Sequence, residues 1–402
     1  MTDKKKVNIL ITASTYPRWA GDSTPPFVQQ FAEVLSSYCN NIYVLAPHAK
    51  GSKKLEQNDN IIVKRYRYFY PAGLQNITYN GGGVYKIKKT PVYALKLFCL
   101  ISILFFQNWW IVISKKIDII NPHWAVPQGF VAVIVKFLTN KPVLLTVHGG
   151  DIFNLTGDLM TKVKRFVLKN SDIVCVNSRA TEKACQAIYD RHYEIIPMGI
   201  DFKRFKPQPP AKYLIDKYNL QDFSILFVGR LADVKGVIYM CQALKLLGND
   251  GYQFKALIVG DGPLRQDLQQ YVTKHNLTSK IIFTGWVDQK NLKDYYNVAD
   301  VFVGPSLSEP QGLVFIEALA SGVPVIASKV GGIVDIVDDE KNGFLVKPQS
   351  SRSIYKKLKL LIDDSSKLQQ LKSHTRQNVE QRFAWQNVVK KYNDVLDKLN
   401  NL

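Results

Sequence analysis

The chain has 402 residues, more than one hydrophobic core usually serves, which suggests two domains. With 46% hydrophobic and 21% charged residues a mainly disordered chain is excluded, and 24 glycines and 18 prolines exclude collagen-like and low-complexity readings. Lys and Arg exceed Asp and Glu by 20, leaning toward the N-terminal half. Such a field attracts nucleic acid, anionic lipid headgroups or phosphorylated ligands, or keeps a solvated surface soluble.

The five cysteines, Cys39, Cys99, Cys175, Cys185 and Cys241, are odd in number and far apart. They give no disulfide framework or zinc site and fit a reducing compartment. No Asp-x-Asp pair stands at a strand end, so no metal is expected.

In chain order, a basic start (residues 1–6) leads into the apolar run 7–11, read as a first buried strand rather than a signal peptide. Strands are expected at 7–12, 42–46, 61–66, 117–120, 143–147 and 173–177. Helices are expected at 26–38, 91–114, 127–138, 159–169 and 180–187. Within 91–114 the runs LFCLISILFF and WWIVI fall short of the about 20 apolar residues that span a bilayer. They read as a mostly buried helix, or as a monotopic face with Trp109 and Trp110 at headgroup level beside Lys86, Lys88, Lys89, Lys115 and Lys116.

Near 197–210 the texture turns proline-rich and aperiodic, as in a linker. The alternation then restarts, with strands at 224–228, 255–259, 280–283, 301–304, 324–327 and 343–346. Helices follow at 237–247, 264–275, 291–297, 313–320 and 353–363, and an amphipathic tail helix over 383–402. This is an α/β chain of two doubly wound, Rossmann-like domains, with a ligand cleft expected between them at the carboxyl ends of the strands.

Four stretches carry candidate chemistry. In EPQGLVFIEALASGVPVIAS (309–328) a strand leads through a loop to a helix starting near Gly312, where free N–H groups and the dipole suit a phosphate. Glu309 and Glu317 stand eight residues apart, about 12 Å of helical rise. That is too far for a glycosidase pair, which needs about 5–9.5 Å, but it suits gripping both ends of one elongated ligand. In FVGRLADVKG (227–236), Arg230 and Lys235 follow a strand and suit a diphosphate. TVHGGD (146–151) places His148 at a strand end, and PHWAVPQG (122–129) places His123 and Trp124 similarly. YPRWAGDSTPPF (16–27) offers Arg18, Gly21 and Asp22, or is an ordinary turn. Gly81–Gly83 lacks G-x-G-x-x-G spacing and is not read as a dinucleotide fingerprint.

Taken in order, these stretches resemble glycosyltransferase family 4, the retaining GT-B transferases that use nucleotide sugars. The E-x7-E element at Glu309 and Glu317 is its most specific part, and VGDGP (259–263) and GGIVDIVDDEKNGFLV (331–346) also look like that family. The resemblance implies GT-B architecture: an acceptor-binding domain over 1–197, a linker over 198–222, a nucleotide-sugar domain over 223–380, and a helix over 381–402 packing back on the first domain. It implies catalytic roles for His148, Arg230, Lys235 and Glu309. It implies donor contacts from Gly229, Arg230, Lys235, Glu309, Gln311, Gly312, Leu313 and Glu317. Arg230 and Lys235 would neutralise the leaving diphosphate, Gly312 and Leu313 would give it N–H groups, Glu317 would hold the ribose, and Glu309 the transferred sugar. His148 would contact the donor sugar. Arg18, Gly21, Asp22, His123, Trp124 and Asp151 are the acceptor candidates. The leaving phosphate can take the acceptor proton, so no dedicated base is implied. Two departures concern the sugar details: Asp335 stands where glutamate is common, and Gly21-Asp22 replaces a glycine pair.

The expected function is retaining, metal-independent transfer of a sugar from a nucleotide-diphosphate donor to a hydroxyl of a glycan or lipid-linked acceptor, in surface polysaccharide or glycolipid assembly. The nucleotide sugar is a co-substrate, and no cofactor or nucleic acid is expected. The expected place is the cytoplasm, extending to an anionic membrane surface on its inner face. The alternatives are a sugar-nucleotide epimerase of the same architecture, a basic nucleic-acid-binding protein, and a non-catalytic membrane scaffold.

Overall fold

The computed structural model describes residues 6–79 and 91–400; Gly81–Gly83 and Lys86, Lys88 and Lys89 lie outside the described residues. The chain divides into two compact units, Met1–Met198 with Trp385–Leu402, and Gly199–Ala384.

The first unit runs β1 (Val7–Thr12), α1 (Phe27–Leu35), β2 (Cys39–Pro47), β3 (Leu55–Asn58), β4 (Ile61–Tyr66), α2 (Pro91–Ser114), β5 (Ile119–Pro122), α3 (Phe130–Thr139), β6 (Leu144–Val147), α4 (Gly150–Phe153), α5 (Asp158–Asn170), β7 (Ile173–Val176), α6 (Arg179–Gln186) and β8 (Glu194–Ile195). Its sheets have strand orders β3-β4-β2-β1-β5 and β6-β7-β8. All pairs are parallel except the β3–β4 hairpin. Single bridges at Ile120–Val143 and His123–Thr146 carry β5 to β6, and the buried Asn121 amide donates to Leu144 O and Thr146 Oγ1. β1, buried on both faces and parallel to both neighbours, is the run VNILIT that an interior strand requires.

Helix α1 buries Val28, Phe31, Ala32 and Leu35, one stripe at helical spacing. The strand ends at Thr12, Pro122 and Val147 share one edge, because His123 N–H donates to Thr12 O and Trp124 N–H to Thr146 O. Helix α2 matches its expected bounds but not the first of its two expected readings, a mostly buried helix. It is 24 residues long and long and apolar enough by composition to cross a membrane, and most of it is not buried. Leu100, Leu104, Ile111 and Val112 enter the core, while the opposite side stays in solvent.

The second unit holds α7 (Lys212–Tyr218), β9 (Phe223–Val228), α8 (Val237–Asn249), β10 (Phe254–Val259), α9 (Arg265–Lys274), β11 (Ile281–Gly285), α10 (Leu292–Asn297), β12 (Val301–Gly304), α11 (Leu313–Ala320), β13 (Val325–Ser328), β14 (Gly343–Val346), α12 (Ser351–Asp363), α13 (Ser365–Ser373) and α14 (Arg376–Phe383). Its parallel sheet has the order β11-β10-β9-β12-β13-β14. The order reverses at β9–β12, the switch point where open α/β sheets bind ligands. The stretch expected as linker is ordered into this unit. Leu214 of α7 is buried, and the Arg376 guanidinium donates to Phe202 O, Phe205 O and Ala320 O, tying residues 202–205 to the end of α11.

The final helix, α15 (Trp385–Asn400), belongs to the first unit. It buries Trp385, Val388, Val389 and Tyr392 on one stripe, with Phe31 of α1 against Tyr392 at 4.7 Å between ring centres.

Candidate active site

In the second unit the loops after β9 and β12 are built into each other. Leu307 N–H donates to Val234 O at 2.8 Å, and Lys235 Nζ donates to Glu309 Oε2 at 2.5 Å. Glu309 is buried, and Ser306 Oγ lies 3.4 Å from the same carboxylate oxygen. Arg230 is exposed at the end of β9, and its guanidinium has no hydrogen-bond or ion-pair partner among the described residues. Gly229 N–H donates to Val259 O and Leu231 N–H to Asp261 O, so the VGDGP turn braces the backbone around Arg230.

Helix α11 starts at Gly312, whose φ of +97° favours glycine. No side chain caps this end, so its first N–H groups are open to an anion. The Gly331-Gly332 turn lies directly beneath: Gly332 N–H donates to Glu309 O, and a Cβ on Gly331 would stand 2.0 Å from that oxygen. Glu317 is buried one turn further along α11 and accepts a 2.8 Å hydrogen bond from Tyr296 Oη. Burial raises its pKa to about 7, against the lowering effects of that hydrogen bond and the Arg204 guanidinium. Gln311 is buried in the same loop. One loop and helix start thus hold Glu309, Gln311, Gly312, Leu313 and Glu317 together, with Lys235 bonded to the first of them.

In the first unit His148 and His123 share a 2.9 Å hydrogen bond, Nε2 to Nδ1, with rings stacked 5.0 Å apart. Trp124 and Phe27 lie 4.7 and 5.0 Å from the His148 ring. Burial lowers the His148 pKa to about 3 and that of His123 well below its ordinary value, so both rings are neutral. Asp151 is fully buried, and its Oδ2 accepts from Ala125 N–H at 2.5 Å. His123 and Asp151, both expected at the acceptor, are buried in this unit. Both are enclosed, and they brace His148 and the 124–127 loop. Arg18 and Asp22 form a two-point ion pair, with Nη2 to Oδ1 at 2.6 Å and Nε to Oδ2 at 2.8 Å. Gly21 gives the turn between them its positive φ of +76°.

Sequence reasoning missed Tyr296, Arg204 and Phe27. Tyr296 precedes Glu317 by 21 residues and reads as an apolar position of an amphipathic helix. Only the packing of α10 beside α11 gives it a polar role.

Two family models match the chain, "Glycosyl transferases group 1" over residues 215–378 and "Glycosyltransferase Family 4" over residues 27–204. The chain belongs to the group 1 glycosyltransferases of family 4. This glycosyltransferase is 28% identical over 293 residues to the capsular polysaccharide biosynthesis glycosyltransferase CapM of Staphylococcus aureus, covering 67% of this chain and 74% of that one. It is 28% identical over 299 residues to the UDP-Gal:alpha-D-GlcNAc-diphosphoundecaprenol alpha-1,3-galactosyltransferase of Escherichia coli, covering 71% and 75%. The sucrose-phosphate synthase structure from Thermosynechococcus elongatus superposes with a TM-score of 0.80 at 23% identity, over 98% of this chain and 99% of that one. The fold of the glycosyltransferase is GT-B.

Proposed function

We propose that this glycosyltransferase moves a sugar, with retention and without a metal, from a nucleotide-diphosphate donor to a hydroxyl of a glycan or lipid-linked acceptor. The work belongs to surface polysaccharide or glycolipid assembly, in the cytoplasm at the inner face of the membrane. The observation that carries the reading is the grouping of Lys235, Glu309, the open N-terminus of α11 at Gly312 and the buried Glu317 in one loop and helix. A diphosphate suits the cation and the amide end, and the two carboxylates suit hydroxyls on either side of it. Relatives named for capsular polysaccharide and for a UDP-Gal donor with a diphosphoundecaprenol-linked acceptor support the substrate classes.

In this reading the acceptor oxygen bonds to the anomeric carbon as the bond from that carbon to the diphosphate breaks. The acceptor proton passes to a phosphate oxygen of the departing nucleoside diphosphate. Arg230 and Lys235 meet the charge that develops on the leaving group, Gly229, Gly312 and Leu313 line it, and Gln311 and Glu309 meet the sugar. Glu317 accepts from ribose hydroxyls. His148 meets the donor sugar as a neutral imidazole. Arg18, Gly21, Asp22, His123, Trp124 and Asp151 are the acceptor candidates.

The test is a thermal-shift panel of nucleotide sugars, followed by product analysis with the donor that stabilises the protein. The expected result is one preferred donor, an acceptor-dependent product with the donor's anomeric configuration, and turnover that survives chelator. Conversion of the donor without an acceptor would instead establish the epimerase. The names of the relatives favour transfer.

A further inference from the structure

Helix α2 has no polar side. Val92, Leu95, Phe98, Phe106, Trp110 and Ile113 fall on one outward stripe at helical spacing, with Phe98 69%, Trp110 62% and Phe106 59% exposed. The stripe runs about 30 Å at the helical rise per residue. Helix α3, which packs against α2, exposes Phe137 and Leu138 in its last turn. A helix that is apolar all round is normally enclosed, and a contiguous apolar face of this extent marks a contact surface.

The charge around the stripe says what covers it. Among the described residues of 60–117, which hold no Asp or Glu, Arg67 is exposed, while Arg65 is buried in an ion pair with Glu56 and Lys96 is buried in the core. Lys115 and Lys116 are exposed where α2 ends. Phe137 of α3 packs on Phe166 of α5 at 6.2 Å, which sets the exposed Lys162 and Lys169 of α5 beside the α3 end of the face. Two copies pressed together here would set these lysines against each other. Anionic headgroups would pair with them while acyl chains cover the stripe.

We infer that the outward face of α2, with the last turn of α3, docks on an anionic lipid bilayer with the helix lying in the membrane plane. The inward side rules out a span. Leu100, Leu104, Ile111 and Val112 pack with Leu10, Leu45 and Ile120, and Lys96 is buried beside Asn76, 3.4 Å from its Oδ1. Crossing a bilayer would strip that core and leave Lys96 in hydrocarbon. In-plane docking keeps both sides of the helix apolar in an apolar setting. Trp109 and Trp110, aromatic side chains of the kind that favour the headgroup level, fall at its C-terminal end. The inference rests on the proposed membrane-side placement of the transferase, which it narrows to one face, but docking is measurable apart from sugar transfer.

The experiment uses the full chain, sedimented with vesicles of mixed phosphatidylglycerol and phosphatidylcholine and with phosphatidylcholine alone. The expected result is binding to the mixed vesicles that weakens with salt. Phe98→Ser with Trp110→Ser should lower partitioning at least about tenfold, since two large apolar side chains leave the lipid. Lys115→Gln with Lys116→Gln should weaken binding mainly at low salt. Both variants should keep the wild-type melting temperature and nucleotide-sugar thermal shift, as these side chains are exposed. Failure of the transferase reading would appear as a missing thermal shift and leave vesicle binding untouched. The inference is overturned if the wild type stays in the supernatant or if the serine variant partitions as the wild type does. It is equally overturned if the face mediates a salt-insensitive dimer that the serine variant dissolves, or if the wild type resists extraction from vesicles by alkaline carbonate, as a span would.

Discussion

Lys235 Nζ and Glu309 Oε2 stand 2.5 Å apart although 74 residues separate them in sequence. The cation assigned to the donor diphosphate is held by the carboxylate assigned to the donor sugar. The pair preorganises two loops and keeps the buried Glu309 neutralised. Lys235→Ala should cost about 1–3 kcal/mol in denaturant unfolding, because it leaves that buried carboxylate without its cation. Lys235→Ala with Glu309→Ala should cost less than the sum of the single changes, which a double-mutant cycle reads directly. Turnover should fall roughly 10²–10³-fold in Lys235→Ala, the usual loss when a group facing developing charge is removed.

Glu317 gives the clearest pH dependence. Its folded pKa of about 7 lies above the ordinary 4.5, raised chiefly by burial. The folded protein therefore holds this proton more tightly than the unfolded chain. The group favours folding fully below about pH 4.5, loses that contribution as pH rises toward 7, and is unfavourable when ionised. Glu317→Gln should raise ligand-free stability at pH 8 by about 1–3 kcal/mol relative to wild type and change little at pH 4. If the ionised carboxylate accepts from the ribose, donor affinity in the wild type should fall as pH drops below about 7. The glutamine variant should bind weakly at every pH. Tyr296→Phe removes a hydrogen bond that lowers this pKa, so it should move the midpoint of donor binding upward.

The His123–His148 pair makes a second prediction. With burial holding His148 near pKa 3, its folded value lies below that of a free imidazole. Its contribution to stability is present above about pH 6.5 and is lost as pH falls. It should add no limb to the activity profile between pH 5 and 8. His123→Phe should keep the packing against Phe31 but remove the 2.9 Å hydrogen bond. Turnover should then fall about tenfold or more with a smaller change in donor affinity, and His123→Asn should restore part of it.

Gly331→Ala tests the floor under Glu309. A methyl group 2.0 Å from Glu309 O must push the loop aside. Donor-induced thermal stabilisation should be lost, while Gly73→Ala, where a Cβ meets nothing within 4 Å, should leave it intact.

Much of the second unit was legible because its signals are local. The apolar strand at 301–304 and the helix at 313–320 coincide with β12 and α11, since Gly304 and Gly312 punctuate the pattern at their ends. Strand β3 was missed because LEQN has no apolar alternation and owes its state to pairing with β4. Helix α7 was hidden by the prolines before it, which obscure the apolar stripe around Leu214. Of the site, the charged residues could be read from their strand-end spacing. The Tyr296–Glu317 bond and the enclosure of His123 and Asp151 depend on contacts between distant segments. The apolar runs in α2 allow either burial or a monotopic face. The sequence could not say that one side of that helix would find no covering in the fold.

The central claim is that Lys235 and Arg230 bind a donor diphosphate at the start of α11, and calorimetric titration with nucleoside diphosphates tests it most directly. The account predicts saturable binding of at least one nucleoside diphosphate to the wild type, weakened about 10–100-fold in Lys235→Ala and in Arg230→Ala as charge-assisted hydrogen bonds are lost. Equal affinity in wild type and both variants would contradict it.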